Sequence, residues 1–370
     1  MMQLVTIALS LILFCSLFGI IEVASHNHDA VTVNDVLVNE DNSADNQKKK
    51  STSCVFGVKS VSMTLFTSDN GNGKFEVNES YDVLDRSKPV YFVVHGFISN
   101  DSPFNLFDLV FLLSKENTVF SLNWSDTACY NNSSITKLLS SSAVKNTRDI
   151  GDYLASYTLS LIEYGVPLKN ITYIGYSLGA HVIGFAAKKL QMLNMIIPRL
   201  IGVDPLAYGF MFNKCENRLC YTDAQFVTVL YTSPLSIQKS VGQLNLWFNN
   251  GAGQPYCGDA LINNSNIKCS HSMSIIYFIN IWSGDCEFLG VPINKRTNPL
   301  LSVPPGCSIN RIGSVIVDNK IFKSNSTIVG DYCIPVTSEY PYCTKKNLKN
   351  LKRCEKYEII DNNSNTSVLL

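Results

Sequence analysis

The stretch Ile171-Thr-Tyr-Ile-Gly175-Tyr176-Ser177-Leu178-Gly179-Ala-His-Val-Ile-Gly-Phe-Ala-Ala-Lys-Lys-Leu190 decides the reading of this chain. A β-rich run enters a G-x-S-x-G pentad, and a helical run leaves it. That strand, tight turn and helix is the setting a nucleophile elbow requires. Small residues at 175 and 179 let the backbone bend sharply while neighbouring segments pass close by. A strand-to-helix turn without chemistry is the alternative, because Gly and Ser are common residues.

The flanking sequence alternates strands and helices. Val90–Val94 is a continuous apolar run ending in His95-Gly96-Phe97, as a buried parallel strand and its loop would be. Val119–Trp124 is a second strand candidate. Residues 146–164 carry Ile150, Tyr153, Leu154, Tyr157, Leu161 and Ile162 at helical spacing, and Gly165 and Pro167 end that helix. Arg199–Val203 and Phe226–Tyr231 are further strands. The alternation predicts an α/β protein with a mostly parallel sheet covered by helices, its reactive groups gathered beyond the carboxyl ends of the strands.

A serine hydroxyl needs a base to take its proton and a third group to orient that base. Histidines are few. His26 and His28 lie in a polar leader, His95 opens the His-Gly-Phe loop, and His181 falls on the helix behind the serine. His271, in what reads as a polar loop Cys269-Ser-His-Ser-Met273, is the candidate base. Asp204 closes an apolar strand and precedes Pro205, so it is the candidate acid, with Asp223 and Asp259 as weaker rivals. The order Ser177, Asp204, His271 is the one expected of this sheet type. An oxyanion hole takes two backbone N–H groups. Leu178, just after the serine, and Phe97, in the first loop, are the candidates.

Bulk properties bound the rest. Residues 1–25 read as a signal peptide, with a retained anchor as the alternative. Residues 26–50 read as a disordered leader or pro-segment whose Lys48–Lys50 is a processing site or a solvated charge run. The catalytic domain is expected over 51–345 and a polar tail over 346–370. Twelve cysteines, one of them Cys15 inside the signal, leave an odd number in the mature chain and read as a disulfide set of an exported protein. Asn-x-Ser/Thr acceptors at Asn78, Asn123, Asn131, Asn132, Asn170, Asn263, Asn325, Asn362 and Asn365 fit the same route. Thirty basic against thirty acidic residues give no reason to invoke nucleic acid. Cys257 and Cys269 bracket a short, mostly polar loop just before His271. As a disulfide they would form a small lid loop, too short for a two-turn amphipathic flap.

The combination Val94-His-Gly-Phe97, Asn146-Thr-Arg-Asp-Ile-Gly-Asp152, the elbow to Phe185, Gly202-Val-Asp-Pro205, Cys215-Glu-Asn-Arg-Leu-Cys220 with Thr222-Asp-Ala224, and Cys269-Ser-His271 resembles the pancreatic lipase family, within it the secreted insect phospholipase A1-like branch. The resemblance covers roughly 52–345. It implies an α/β-hydrolase fold, Ser177, Asp204 and His271 as triad, Phe97 and Leu178 as oxyanion donors, and no metal or cofactor. Pairings Cys215–Cys220 and Cys54–Cys129 are expected on the same ground. A phospholipid or other glycerolipid at a membrane or micelle surface is the expected partner of a monomeric enzyme without a C-terminal β-sandwich domain. The sn-1 ester of phosphoglycerides is the favoured substrate. A triglyceride or broad lipase, and an inactive lipid-binding or storage protein, are the alternatives. Departures from the family stand at Tyr176, Tyr231 and Gln243. They put substrate preference in doubt, because the altered segments are expected near the acyl groove.

Overall fold

The structure, a computed structural model, describes residues 61–67, 84–97, 106–125, 143–258, 264–297, 305–307, 312–323, 326–343 and 345–346. Its centre is one eleven-stranded sheet. In chain order the elements are β1 (Ser62–Phe66), β2 (Val90–Val94), α1 (Leu106–Ser114), β3 (Thr118–Asn123), α2 (Ala143–Glu163), β4 (Ile171–Tyr176), α3 (Leu178–Gln191), β5 (Arg199–Val203), β6 (Phe226–Tyr231), β7 (Leu244–Phe248), α4 (Asn264–Ser283), β8 (Cys286–Ile293), β9 (Val315–Val317), β10 (Gly330–Ile334) and β11 (Lys345–Lys346). The strands run β1-β3-β2-β4-β5-β6-β7-β10-β8-β11, with β9 paired to β8. From β3 to β10 every pairing is parallel, while β1 and β8 join antiparallel at the two sides.

The all-apolar strand sequences follow from this arrangement. A parallel strand with helices on both faces has no solvent side, so β2, β5 and β7 are buried at every residue. One face is covered by α2 and α3, through Ile150, Leu154, Leu161, Val182 and Ile183. The other is covered by α1 and α4, through Leu109, Leu113, Met273, Phe278 and Ile281. Helix α2 ends in a paired cap: Val166 N–H donates to Leu161 O at 3.0 Å and Gly165 N–H to Ile162 O at 2.9 Å, with Gly165 at φ 107°. Only a residue free of a Cβ takes that conformation at no cost.

Two readings of the sequence change. His271 lies inside helix α4, not in a loop, and residues 264–268 of the presumed lid form the start of that helix. The polar run Asn264–Ser272 shows no apolar stripe. It is helical because the apolar run that follows docks on the sheet, and the Cys257–Cys269 disulfide anchors its start. Among the described residues Cys215–Cys220 and Cys307–Cys333 are also bonded. Cys54, Cys129 and Asp259 lie outside the described residues.

Candidate active site

Register brings the site together. Tyr176 at the end of β4 pairs with Val203 at the end of β5, and Val203 pairs with Leu230 near the end of β6. The residues that follow each strand end, Ser177, Asp204 and Thr232-Ser233, are therefore collected at one edge. Ser177 sits at φ 56°, ψ −117° at the start of α3. That is a conformation a non-glycine residue adopts only when its surroundings enforce it. Here Ser177 N–H donates to Val203 O at 2.9 Å. Close approaches complete the constraint. A Cβ at Gly175 would strike the Gly179 carbonyl, and one at Gly179 would strike the carbonyls of Val94 and His95. A Cβ at Gly96 would stand 2.5 Å from Ser177 Cβ. The β2 loop carrying Phe97 is thus pressed onto the elbow and onto the first turn of α3, where Leu178 begins the helix. A helix N-terminus also favours negative charge.

Asp204, fully buried at φ 46°, holds His271 Nδ1 on Oδ2 at 2.6 Å. Its Oδ1 accepts Thr232 N–H at 2.6 Å, and its Oδ2 also accepts Ser233 Oγ–H at 2.5 Å. The carboxylate is therefore satisfied by backbone and hydroxyl donors in a site where an unpaired charge would be very costly. Ser233 was missed in the sequence because nothing in the polar residues that follow strand 226–231 marks it. The one available signal was its place just past a strand end beside Asp204. Tyr176 lies against the other partner: its ring is 4.8 Å from the His271 ring, and its hydroxyl is hydrogen-bonded to Ser272.

The other two described histidines, His95 and His181, are occupied elsewhere, and His26 and His28 lie outside the described residues. Trp124 N–H donates to His95 Nε2 at 3.0 Å, so Nδ1 carries the proton and donates to Gly96 O at 2.7 Å. Burial pushes the His95 imidazole down to about 4 and keeps it neutral. His95 thereby shapes the loop that carries Phe97. His181 accepts Leu219 N–H on Nδ1 at 3.2 Å, donates from Nε2 to Leu206 O at 2.9 Å and stacks on Phe210. It pins the loop after Asp204 from beneath the elbow, as its place on the helix implied. Asp223 pairs with Lys188 at 2.5 Å and accepts Cys220 N–H, well away from His271's contacts.

The departures at Tyr231 and Gln243 are absorbed by the sheet. Tyr231 is fully buried, stacks on Trp247, and meets Asn245 Oδ1, Lys239 O and Val241 N through its hydroxyl. Gln243 accepts Val227 N–H and donates to Tyr221 and Gln225 carbonyls at the amino ends of the strands, opposite the site. The expectation that these segments line the acyl groove does not hold for Gln243, and Tyr231's polar atom is spent internally. Of the three departures, Tyr176 is the one in contact with the candidate triad. Among the described residues no cluster of metal-ligating side chains is found, and no helix is long and apolar enough to cross a membrane.

A buried carboxylate, an imidazole bonded to it and a serine on a strained elbow, all at the carboxyl edge of a mostly parallel sheet, define the class of α/β-fold ester hydrolases. The chain belongs to the lipase family, whose model matches residues 29–342. It is 39% identical to a phospholipase A1 of Dinoponera quadriceps over 81% of this chain and 80% of that one. It is 34% identical to a phospholipase A1 of Vespa crabro, over 79% and 98%. A phospholipase A1 of Solenopsis invicta is 32% identical, over 82% and 88%. The protein is a secreted, disulfide-bonded ester hydrolase that acts on lipid.

Proposed function

We propose that this chain is a phospholipase A1, cleaving the sn-1 acyl ester of phosphoglycerides through Ser177, Asp204 and His271. The observation that carries the mechanism is the 2.6 Å bond from His271 Nδ1 to a buried Asp204 at the edge where the elbow presents Ser177. With Nδ1 committed to the carboxylate, Nε2 is the nitrogen free to accept the Ser177 proton. Ser177 Oγ attacks the ester carbonyl, and the Phe97 and Leu178 N–H groups receive the negative charge on its oxygen. His271 returns the proton to the departing glycerol oxygen, leaving an acyl-enzyme and a 2-acyl lysophospholipid. It then takes a proton from water, whose oxygen attacks the acyl carbon, and the fatty acid leaves as Ser177 is reprotonated.

Substrate class rests on the lid and on the relatives' names. Cys257 and Cys269 are bonded across a span of 12 positions, which leaves no room between them for a long amphipathic flap. A site without such a flap would suit a bulky polar head group, and a monomer working at a membrane or micelle surface needs no large apolar flap. The catalytic unit is taken as 51–345, behind a signal peptide and leader. Positional product analysis on a mixed-chain phosphatidylcholine, beside an emulsified triglyceride, tests the reading. Release of the sn-1 acid with a 2-acyl lysophospholipid left behind is expected. Predominant triglyceride turnover, rising sharply once droplets form, would overturn it.

A further inference from the structure

The 2.6 Å contact between Asp204 and His271 joins two elements from different layers. Asp204 follows β5 in the sheet, while His271 rides on α4, which covers one face. Something must fix the helix against the strand ends for that bond to be short. Gln254 lies between them and is fully buried. Its side-chain amide donates to Thr232 O at 2.7 Å, to Phe248 O at 2.9 Å and to Ala252 O at 3.0 Å. Its carbonyl accepts the Tyr277 hydroxyl at 3.0 Å. Its backbone N–H donates to Ser270 Oγ at 2.9 Å. Backbone carbonyls can only accept, so the three of them fix which way the amide points.

We infer that Gln254 is a positioning residue for catalysis, a clasp that sets the Asp204–His271 geometry from both sides. One hand holds Thr232, whose own N–H donates to Asp204 Oδ1 at 2.6 Å. The other holds α4 at Tyr277 through the side-chain carbonyl and at Ser270, next to His271, through the backbone N–H, a bond that side-chain replacement keeps. The inference rests on the triad reading above. Removing this buried amide takes one donor from each of three carbonyls and the acceptor from the Tyr277 hydroxyl, so the two elements can drift apart. Drift acts on proton transfer, not on the surfaces that touch substrate. The kcat term should fall while KM stays in place.

Gln243, partly buried where Gln254 is fully buried, supplies a control. It is also a glutamine clamping strands of this sheet, at their amino ends instead of their carboxyl ends. Gln254→Met and Gln243→Met keep length and volume and remove the same amide. Both are assayed on a soluble short-chain p-nitrophenyl ester beside their thermal midpoints. Gln254→Met is expected to lose about 10- to 100-fold in kcat, the cost of a misplaced catalytic group, with KM within about twofold. Gln243→Met is expected to keep wild-type kcat although its midpoint falls. Tyr277→Phe, which keeps its ring against Phe248 and Phe288 and loses only the hydroxyl, should lose kcat several-fold, and it decides the matter if Gln254→Met does not fold. Wild-type kcat in Gln254→Met or in Tyr277→Phe, or equal losses in the two glutamine variants, would overturn the inference. Fluorophosphonate labelling separates this from the parent reading. A wild-type enzyme left unlabelled at Ser177 sinks the triad and the clasp together. A labelled one with an unaffected clasp variant sinks the clasp alone.

Discussion

Ser233 Oγ and His271 Nδ1 converge on the same oxygen of Asp204, at 2.5 and 2.6 Å, and stand 3.5 Å from each other. The hydroxyl therefore competes for, and aligns, the lone pairs that hold the imidazole. Leu235 N–H in turn donates to Ser233 Oγ at 3.2 Å, which fixes the hydroxyl's direction.

Ser233→Ala is expected to lower kcat by about tenfold, the order of one hydrogen bond to a charged group. KM on a soluble ester should not move, since Ser233 is buried and holds Asp204 without facing substrate. Steady-state kinetics check this. An unchanged kcat would show that Thr232 N–H alone orients the carboxylate.

On the proposed mechanism Ser177→Ala should abolish turnover while the protein keeps its thermal transition, because the lost hydroxyl is the proposed nucleophile and contributes little of the packing. Residual hydrolysis near the wild-type rate would place the nucleophile elsewhere.

Gly96→Ala probes the elbow. The added methyl would meet Ser177 Cβ at 2.5 Å and Tyr176 O at 2.8 Å, neither of them the end of a flexible side chain. The loop carrying Phe97 must retreat. A loss of about 100-fold in activity is expected, together with roughly 1–3 kcal/mol in stability. Denaturant melts beside rate measurements separate the two effects.

His181, like the buried His95, makes the fold sensitive to acid. Burial depresses its imidazole from the ordinary 6.5 to about 3. The unfolded chain therefore binds a proton at a pH where the folded one does not. The stabilisation is fully present above the unfolded value and is lost as pH falls from about 6.5 toward 3. His181→Asn should flatten the fall of unfolding free energy between about pH 6 and 4 by roughly 1.4 kcal/mol per pH unit. An unchanged slope in urea melts would mean that His181 is protonated in the folded protein.

Reducing the lid disulfide should also matter. Cys257→Ser with Cys269→Ser releases a short loop, and a closure of that size is worth about 2–3 kcal/mol. The first turns of α4 lose their anchor at Cys269, two residues before His271. A lower thermal midpoint and a lower kcat are expected.

Much of this was written locally. The elbow and the strands 199–203 and 226–231 could be read from short apolar runs and the small residues that punctuate them. A buried parallel strand has to be apolar throughout, and a serine elbow has to be flanked by residues without bulk. Those constraints act over a few neighbouring positions, so they leave a direct trace in the sequence.

What the tertiary structure decided lies in bonds between distant residues. Nothing near Asn264–Ser272 announces a helix, because its polar residues become helical only when Met273 to Ile281 dock on the sheet. Ser233 and Gln254 look like ordinary polar loop residues until register sets one beside Asp204 and burial closes the other around Thr232, Phe248 and Tyr277. A buried hydroxyl or amide takes its role from the partners it must find away from water. Those partners are 29 positions from Ser233 and 22 and 23 from Gln254, and folding alone brings them within reach.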